Sequence, residues 1–302
     1  MIFEAYKSKD GSFEWLDVKD PSGSDLEAIT QRFNLKEEFV RNVLDPTQLA
    51  KYEEKVDQTF IILLPYDVDV PFKSGTIRQL TQKISIFIGH HYLITIHRKD
   101  EPYLNHIRDH WIKNQTIDNP SILPLLLSKI VSGVVNTYTR VLNECDTKME
   151  HFEKIMFEEK TTLRSIRQKF ILQRRSYVIK RILTLILNVV YELKMISEYD
   201  PILYQGLVEE CENEKFHAEN TASHSNELIN LVLFTASNST GETFRVLTIV
   251  SVFFLPLYFV SSVYDIHFSS LEYGYLFFWG LLIGVTIFLL IFFRRKGWLW
   301  LF

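Results

Sequence analysis

The fold of this chain is decided by its last stretch, Phe244–Phe302, which reads FRVLTIVSVFFLPLYFVSSVYDIHFSSLEYGYLFFWGLLIGVTIFLLIFFRRKGWLWLF. It contains two apolar runs without a charged residue, Val246–Val263 and Tyr275–Phe293. Each run is close to the ~20 residues that a helix needs to cross a bilayer. The sequence therefore predicts two transmembrane helices, joined by an extracytoplasmic loop over residues 264–274.

The charges that flank these runs indicate their orientation. The predicted loop contains Asp265 and Glu272 but no Lys or Arg, whereas Arg245 and the basic tail 294–302 lie at the other ends of the two runs. Lys and Arg close to the ends of membrane spans are retained in the cytoplasm. The sequence therefore predicts that both chain termini are cytoplasmic.

The composition of the 302 residues averages two unlike parts, a polar N-terminal region and the apolar C-terminal stretch. The formal net charge of −4 argues against nucleic acid as a partner. Only Cys145 and Cys211 occur, which fits a reducing compartment without a disulfide framework. An enzyme is not predicted, because the sequence has neither a Gly-rich phosphate loop nor a nucleophile elbow.

Residues 1–118 predict an α/β cytoplasmic domain. Short runs rich in β-branched and aromatic residues predict strands, and a capping-box pattern at Ser24–Glu27 precedes a predicted helix that carries Leu26, Ile29 and Phe33 at helical spacing. The strands are expected at Ile2–Tyr6, Phe13–Val18, Thr59–Tyr66, Lys83–Ile88 and Tyr92–His97, and further helices at Lys36–Leu44 and Glu101–Ile112.

Helical periodicity dominates from residue 119 onward. Two apolar arms over residues 119–199 predict a long antiparallel helical hairpin, whose second arm is basic from Arg164 to Arg181. A further helix is predicted over 200–263, because no stop signal separates it from the first membrane run. This helix is expected to form a stalk that continues into the first transmembrane helix. Residues 275–293 are expected to form the second transmembrane helix.

One face of this long helix carries a row of mixed polar and apolar residues at steps of three and four. The row consists of His224, Glu227, Leu231, Phe234, Asn238, Gly241, Phe244, Thr248, Ser251, Leu255, Tyr258 and Ser262. Its polar members make a poor dry core, which favours a channel lined by several copies of the helix. The alternative is a coiled-coil stalk that only anchors the protein. Composition alone does not distinguish the channel from the stalk.

Motifs along nearly the whole chain resemble the CorA family of divalent-cation channels. Trp15-Leu16-Asp17, Asp45-Pro46-Thr47-Gln48, Tyr52-Glu53-Glu54 and the run Tyr92–Arg98 are similar to the family's N-terminal domain, and Asn238–Glu242, Val246–Ile249, Phe254–Leu257 and Arg294–Leu299 to its stalk, first span and tail. The resemblance implies a homopentamer in the plasma (inner) membrane of a prokaryote. It also implies an α/β/α cytoplasmic funnel, a pore lined by the five first-span helices, and second-span helices against membrane lipid.

The resemblance also assigns the pore face. It implies that divalent cations, Mg or alternatively Co, Ni or Zn, act as substrate or regulator and pass a hydrophobic constriction at Leu255. The implied pore-lining residues are Gly241, Phe244, Leu247, Thr248, Ser251, Leu255, Tyr258 and Ser262. Tyr258 is bulkier than the Thr that is common in the family, and Gly241 stands where a pore Asn is expected.

The outer mouth departs from the family. The signature Tyr-Gly-Met-Asn-Phe is replaced here by Tyr264-Asp265-Ile266-His267-Phe268. Five Asp265 carboxylates would form an anionic ring, and five His267 imidazoles would favour zinc, nickel or cobalt over magnesium. The sequence therefore predicts altered selectivity at this mouth.

The resemblance further implies a regulatory metal site between neighbouring funnel domains. Asp67 and Asp69 lie in a turn after the third predicted strand, and the partner position on the long helix falls near Gly206, with Glu209 and Glu210 close by. These carboxylates either sense divalent cations or are ordinary surface acids.

Two other functions stay open beside the preferred cation channel. The lost signature and the basic arm fit a ligand-gated CorA-like membrane effector that responds to a small cytoplasmic ligand, a nucleotide-type signal in antiviral defence. The bulk of Tyr258 fits a non-conducting membrane scaffold.

Overall fold

The computed structural model describes residues 1–8, 11–71, 74–112, 122–157, 163–195, 201–267 and 274–296. These residues divide into two compact units, Met1–Ile229 and Asn230–Phe302. The N-terminal unit contains the β-sheet and its own hydrophobic core. The C-terminal unit contains the two apolar runs.

The sheet of the N-terminal unit has six strands in the order β1-β2-β6-β5-β4-β3. Neighbouring strands are antiparallel except β2 and β6, which run parallel. The strands are β1 (Ile2–Lys7), β2 (Glu14–Lys19), β3 (Lys51–Lys55), β4 (Gln58–Leu63), β5 (Ile84–Ile88) and β6 (Tyr92–His97). Five of the six lie where the sequence predicts them.

The missed strand is β3, with the sequence KYEEK. It pairs only with β4 and forms an edge of the sheet. Charged side chains are common on edge strands, where they discourage pairing with a further strand. The apolar alternation used to predict the other strands is therefore weak here.

The helices of the described residues are α1 (Gly23–Phe33), α2 (Glu37–Leu44), α3 (Ile77–Leu80), α4 (Pro102–His106), α5 (Ile122–Phe157), α6 (Leu163–Met195), α7 (Pro201–His267) and α8 (Gly274–Arg295), with a π-helical segment at Ile107–Trp111. Helices of the N-terminal unit pack on both faces of its sheet. Phe39 of α2 stacks on Phe60 at 5.0 Å between ring centroids. On the opposite face Tyr138 of α5 is fully buried and donates its hydroxyl hydrogen to the carbonyl oxygen of Leu64.

Two predictions of helix boundaries are wrong in detail. The capping box of α1 is formed by Ser22 and Asp25 instead of Ser24 and Glu27: Ser22 Oγ accepts from the Asp25 amide at 3.1 Å, and the Asp25 carboxylate accepts from the Ser22 amide at 3.0 Å. The pair Ser22 and Asp25 has the same spacing as the pair Ser24 and Glu27. With Ser22 as the N-cap, Pro21 lies just outside the helix. The predicted helix Glu101–Ile112 divides into α4 and the π-helical segment.

The long helices of the N-terminal unit pack side by side. Helix α7 follows the direction of α5, since Ser132 donates to Glu210 at 2.9 Å and Thr221 donates to Asp146 at 2.8 Å. Helix α6 is antiparallel to both, since Lys180 pairs with Glu219 whereas Tyr191, further along α6, donates to Glu212, earlier in α7. The predicted helical hairpin is thus covered by the first part of α7. Its far end is closed by a small apolar cluster of Cys145, Met149, Phe152, Leu172 and Leu228.

Among the described residues, three helical segments are long and apolar enough to cross a membrane. Of the most apolar 18 consecutive residues in Ile122–Lys154, 56% are buried inside the protein. The corresponding buried share is 0% in Thr240–Val263 and 11% in Tyr275–Arg295. The first segment therefore belongs to the core of the N-terminal unit. The other two are the predicted spans, and their apolar side chains are left to contact lipid or other chains.

Candidate functional site

In the C-terminal unit, helix α7 has a half-buried side and an exposed side. Half-buried residues recur at steps of three and four, which places them on one face of the helix. They are Arg245, Ile249, Phe253, Pro256, Val260 and Val263, and Leu257 beside Pro256 is half-buried as well.

Helix α8 has a matching row, at Phe278, Leu282, Val285, Leu289 and Phe293. Leu289 is 6% exposed and Phe293 is 1% exposed, although both lie in a helix that is otherwise open to its surroundings. The described part of this unit contains only α8 and the end of α7. We therefore infer that the two rows cover each other.

The residues assigned to the pore lie on the other side of α7. All eight are exposed: Gly241, Phe244, Leu247, Thr248, Ser251, Leu255, Tyr258 and Ser262. At about 100° per residue their mean direction lies roughly 130° from that of the half-buried row. Leu255 is 68% exposed and Tyr258 is 77% exposed, so neither is covered by the rest of the chain. Apolar side chains this open mark a surface that associates with something else.

The hydroxyl groups of this exposed face interrupt its apolar surface. Thr248, Ser251 and Ser262 lie within a narrow sector of the helix, beside Leu255. Thr248 Oγ1 donates to the carbonyl oxygen of Phe244 at 2.7 Å, and its oxygen can still accept a hydrogen bond. The face is thus apolar with small polar groups at intervals, which differs from the uniformly apolar surface of α8.

The two residues assigned to the outer mouth are only partly described. The backbone of α7 remains helical as far as His267. The side chains of Asp265 and His267 lie outside the described part of the structure, as do residues 268–273 of the predicted loop. Their role in ion selection stays a prediction.

The first pair of candidate regulatory acids is held by its own chain. Asp67 accepts a hydrogen bond from Lys99 Nζ at 2.8 Å and another from Gln82, and the Asp69 amide donates to Asp67 Oδ1 at 3.1 Å. Burial alone would raise the pKa of Asp67, but the hydrogen bonds from Lys99 and Gln82 hold it below its usual value. Asp67 is therefore ionised and paired with a lysine.

The second pair lies on α7. Glu210 accepts from Ser132 Oγ at 2.9 Å and is half-buried, and burial raises its pKa. Glu209 is exposed and accepts from Gln205 Nε2 at 3.0 Å. In the described ranges no three His, Cys, Asp or Glu residues are grouped so that they could hold a metal ion. The predicted regulatory site lies between copies of the chain, and a single chain does not test it.

The basic arm of α6 makes contacts within its own chain. Arg174 Nε donates to the carbonyl oxygen of Gly75 at 2.9 Å, and Lys180 pairs with Glu219. These cations attach α6 to the rest of the N-terminal unit. The basic arm therefore gives less support to the hypothesis that a small cytoplasmic ligand binds there.

A buried charge network is the feature that sequence analysis missed. Asp17, 1% exposed, accepts hydrogen bonds from Thr95 Oγ1 at 2.7 Å, His97 Nε2 at 3.0 Å and Arg108 at 2.9 Å. Trp15 Nε1 in turn donates to Thr95 Oγ1 at 3.1 Å. The network joins β2, β6 and the π-helical segment. The sequence signal for this network is a polar residue among apolar neighbours in each strand, Asp17 in β2 and Thr95 in β6.

Both ring nitrogens of His97 face hydrogen-bond acceptors in this network. Its Nε2 faces the carboxylate of Asp17 and its Nδ1 lies 2.5 Å from the carbonyl oxygen of Lys99, and both oxygens can only accept. Burial alone would lower the pKa of His97, but the hydrogen bond and charge of Asp17 raise it above its usual value. His97 and Arg108 therefore share one buried carboxylate.

Glu101 lies beside this network and is 6% exposed. Burial raises its pKa from 4.5 to about 7, although the positive charge of His97 opposes the shift. Near neutral pH this carboxyl group is therefore divided between its protonated and ionised forms. The N-terminal unit thus contains a buried acid that titrates in the physiological range.

Known proteins resemble this chain along nearly its whole length. A family model described as CorA-like Mg2+ transporter protein matches residues 10–295. The Cobalt/magnesium transport protein CorA of Thermotoga maritima is 19% identical over 306 residues, which cover 94% of this chain and 83% of that protein.

Solved structures show the same fold. The complete structure of the CorA magnesium transporter from Methanocaldococcus jannaschii has a TM-score of 0.78 at 17% identity and covers 98% of this chain and 95% of that chain. The full-length CmaX protein has a TM-score of 0.73 at 15% identity and covers 95% of this chain and 89% of that chain.

Proposed function

This chain belongs to the CorA-like Mg2+ transporter protein family, and from that premise we propose that it is a homopentameric membrane channel for divalent cations. The observation that carries the proposal is the exposed face of α7, which is turned away from the row that packs toward α8. In a ring of copies this face would be turned to the common axis. The other exposed apolar side chains would contact neighbouring copies or lipid.

The chemistry of the face supports a water-containing pore. The hydroxyl groups of Thr248, Ser251 and Ser262 offer oxygen contacts to water around a hydrated ion. Leu255, between them, would close the pore by excluding water when five side chains meet. Tyr258 would narrow the pore one turn further along. A coiled-coil anchor would instead gain stability from an uninterrupted apolar seam.

The proposed orientation places both termini in the cytoplasm and the protein in the inner membrane of a prokaryote. The basic residues Arg294–Lys296 at the end of α8 support it, since such residues stay on the cytoplasmic side. Cations would then enter past Asp265 and His267 at the outer mouth. The imidazole of His267 would shift the preference from magnesium toward cobalt, nickel or zinc.

The acidic residues of the N-terminal unit would regulate the channel. We place a divalent cation between neighbouring copies, bound by Asp67 and Asp69 of one and Glu209 and Glu210 of the next. An ion there would compete with Lys99 for the carboxylate of Asp67, which is ionised and ready to bind. Binding would therefore be weaker than at a carboxylate cluster without a lysine.

The function is tested by ion flux into liposomes that contain the purified protein. Magnesium, cobalt, nickel, zinc and potassium are compared for the unchanged chain and for Asp265→Asn and His267→Ala. Asp265→Asn should lower entry of all divalent ions, because it removes one negative charge per copy from the mouth. His267→Ala should lower cobalt, nickel and zinc entry more than magnesium entry.

Glu272→Gln is the matched control, because it removes a carboxylate from the same predicted loop outside the replaced signature. Light scattering of the detergent-solubilised protein gives the number of copies. A channel is excluded if none of the five ions enters under any tested gradient, and a monomer would remove the basis for a shared pore. Absence of flux from an intact pentamer would favour the scaffold.

A further inference from the structure

The N-terminal unit contains a cavity of about 560 Å³ at one end of its sheet. It opens beside α2, where β5 begins and β6 ends, and its floor includes Ser85 and Ile96, which are paired across these strands. Cavities of 300–1,000 Å³ are typical of sites for small molecules. The cavity shares no lining residue with the exposed face of α7 or with the four candidate regulatory acids.

The walls of this cavity are positively charged. Arg78 of α3, Lys83 before β5 and Arg98 after β6 line it, whereas Asp20 is the single carboxylate among its lining residues. Lys99 and Lys19 nearby pair with Asp67 and Asp100, but neither Arg78 nor Arg98 forms an ion pair or hydrogen bond within the described ranges. Both guanidinium groups are therefore available to an anion that enters the cavity.

Lys83 is fixed at the wall by the end of α2. Its Nζ donates to the carbonyl oxygens of Asn42 at 2.9 Å and Asp45 at 2.6 Å, which leaves one hydrogen available. Burial lowers the pKa of Lys83 to about 8, and the charge of Arg98 adds to this shift although Asp45 opposes it. A negative charge in the cavity would relieve the repulsion between these two cations.

Ser85 supplies a neutral polar group at the floor. It is fully buried, and its hydroxyl has no hydrogen-bond partner among the residues that the structure describes. Buried polar groups are nearly always hydrogen-bonded, so this orphan hydroxyl is an unusual feature beneath the floor of the cavity. Val43, Leu64 and Ile96 give the remaining wall an apolar surface.

We propose that this cavity is a binding site for a small organic anion that carries a phosphate or carboxylate group. Arg78 and Arg98 bind the anionic group, because planar guanidinium groups match its oxygen atoms in pairs. The remaining hydrogen of Lys83 Nζ completes the polar contacts. The apolar wall holds the organic part, because a phosphate ion alone fills only a small part of the volume.

The test measures binding to the full-length protein in detergent by isothermal titration calorimetry and by thermal shift. The probes are inorganic phosphate, pyrophosphate, adenosine monophosphate and citrate, each at low salt. At least one organic probe should bind saturably and raise the melting temperature, since a ligand that binds only the folded state stabilises it. Arg78→Gln combined with Arg98→Gln should weaken binding at least tenfold.

Arg140→Gln is the matched control, because it removes an exposed arginine that does not line the cavity. Arg78 and Arg98 are themselves exposed, so the double variant should fold with an unchanged melting temperature when no probe is present. The proposal is wrong if no probe binds saturably up to millimolar concentration or if the double variant binds as the unchanged chain does. Phosphate that binds as tightly as the organic probes would overturn the assignment of an organic ligand. None of these readouts depends on ion flux.

Discussion

The two compact units of this chain treat their large apolar side chains in opposite ways. Trp15 and Phe39 in the N-terminal unit are completely buried. In the C-terminal unit Leu255 is 68% exposed and Phe288 is 68% exposed, and neither is covered by its own chain. One unit is thus complete as a fold, and the other is complete only with lipid or further copies around it.

Polar groups show the same contrast. The N-terminal unit satisfies its buried charge at Asp17 with three donors from distant parts of the chain. The C-terminal unit leaves Ser251 and Ser262 on an open face. Functional sites are therefore expected where the single chain leaves an apolar surface uncovered or a charge unpaired. The exposed face of α7 and the arginine-lined cavity are the two clearest cases.

Removal of the buried charge should break the N-terminal unit most severely. Asp17→Asn leaves His97 and Arg108 without a buried counter-charge, and loss of one partner from a buried ion pair costs about 3–5 kcal/mol. The free energy of unfolding, followed by chemical denaturation of the detergent-solubilised protein, should fall by this amount. Asp100→Asn is the control: its ion pair with Lys19 is exposed, and such pairs contribute about 0–1 kcal/mol. Equal effects of the two substitutions would contradict the network.

A matched pair of leucines compares the two units directly. Leu127 is fully buried in α5, and its replacement by Ala should cost about 2–5 kcal/mol through lost burial and the cavity left behind. Leu247 is 59% exposed on α7, and its replacement by Ala should change stability by less than about 0.5 kcal/mol. Chemical denaturation measures both. If Leu247→Ala costs as much as Leu127→Ala, the exposed face of α7 is a packed core in the assembled protein.

The pH dependence of stability tests the buried acid. Folded protein keeps the proton of Glu101 up to about pH 7, whereas the unfolded chain loses it near 4.5. The folded state therefore binds more protons in this interval, and the free energy of unfolding falls as pH rises through it. The raised pKa of His97 acts in the same direction, since its stabilising charge is lost at higher pH.

Glu101→Gln removes the acidic part of this dependence. The variant should be more stable than the unchanged chain by about 1–3 kcal/mol at pH 8 and nearly equal to it at pH 4.5. Melting curves at several pH values provide the measurement. The control Glu27→Gln changes an exposed residue of α1 and should leave the pH profile as it is. A parallel shift of the Glu101→Gln curve at all pH values would show that the proton is not the cause.

The smallest expected effect concerns the constriction. Leu255→Ser should raise cation leak through closed channels about tenfold, because a ring of hydroxyl groups no longer excludes water. Leu257→Ser, two residues further along α7 and half-buried, should leave the leak unchanged. Flux into liposomes without an activating gradient measures both. A larger effect at Leu257 would place the pore on the wrong side of the helix.

Local patterns made much of this fold predictable. The apolar runs identify the two spans, and steps of three and four locate α5, α6 and α7, because both signals lie within one element. Strand β3 was missed because its charged sequence KYEEK reflects its place at the sheet edge. The pore row was assigned from spacing and resemblance, and its position away from the half-buried row of α7 became visible only in the structure.

The α/β region, the long helices and the two apolar spans can be read from the amino-acid sequence, since each follows from residues that are neighbours along the chain. Which polar residues meet depends on the folded structure. Asp17 and His97 are 80 positions apart, and the parallel pairing of β2 with β6 brings them together. Arg78 of α3 and Arg98 after β6 likewise line one cavity, at the end of the sheet where β5 begins and β6 ends. Contacts of this kind depend on the path of the whole chain, which no local periodicity encodes.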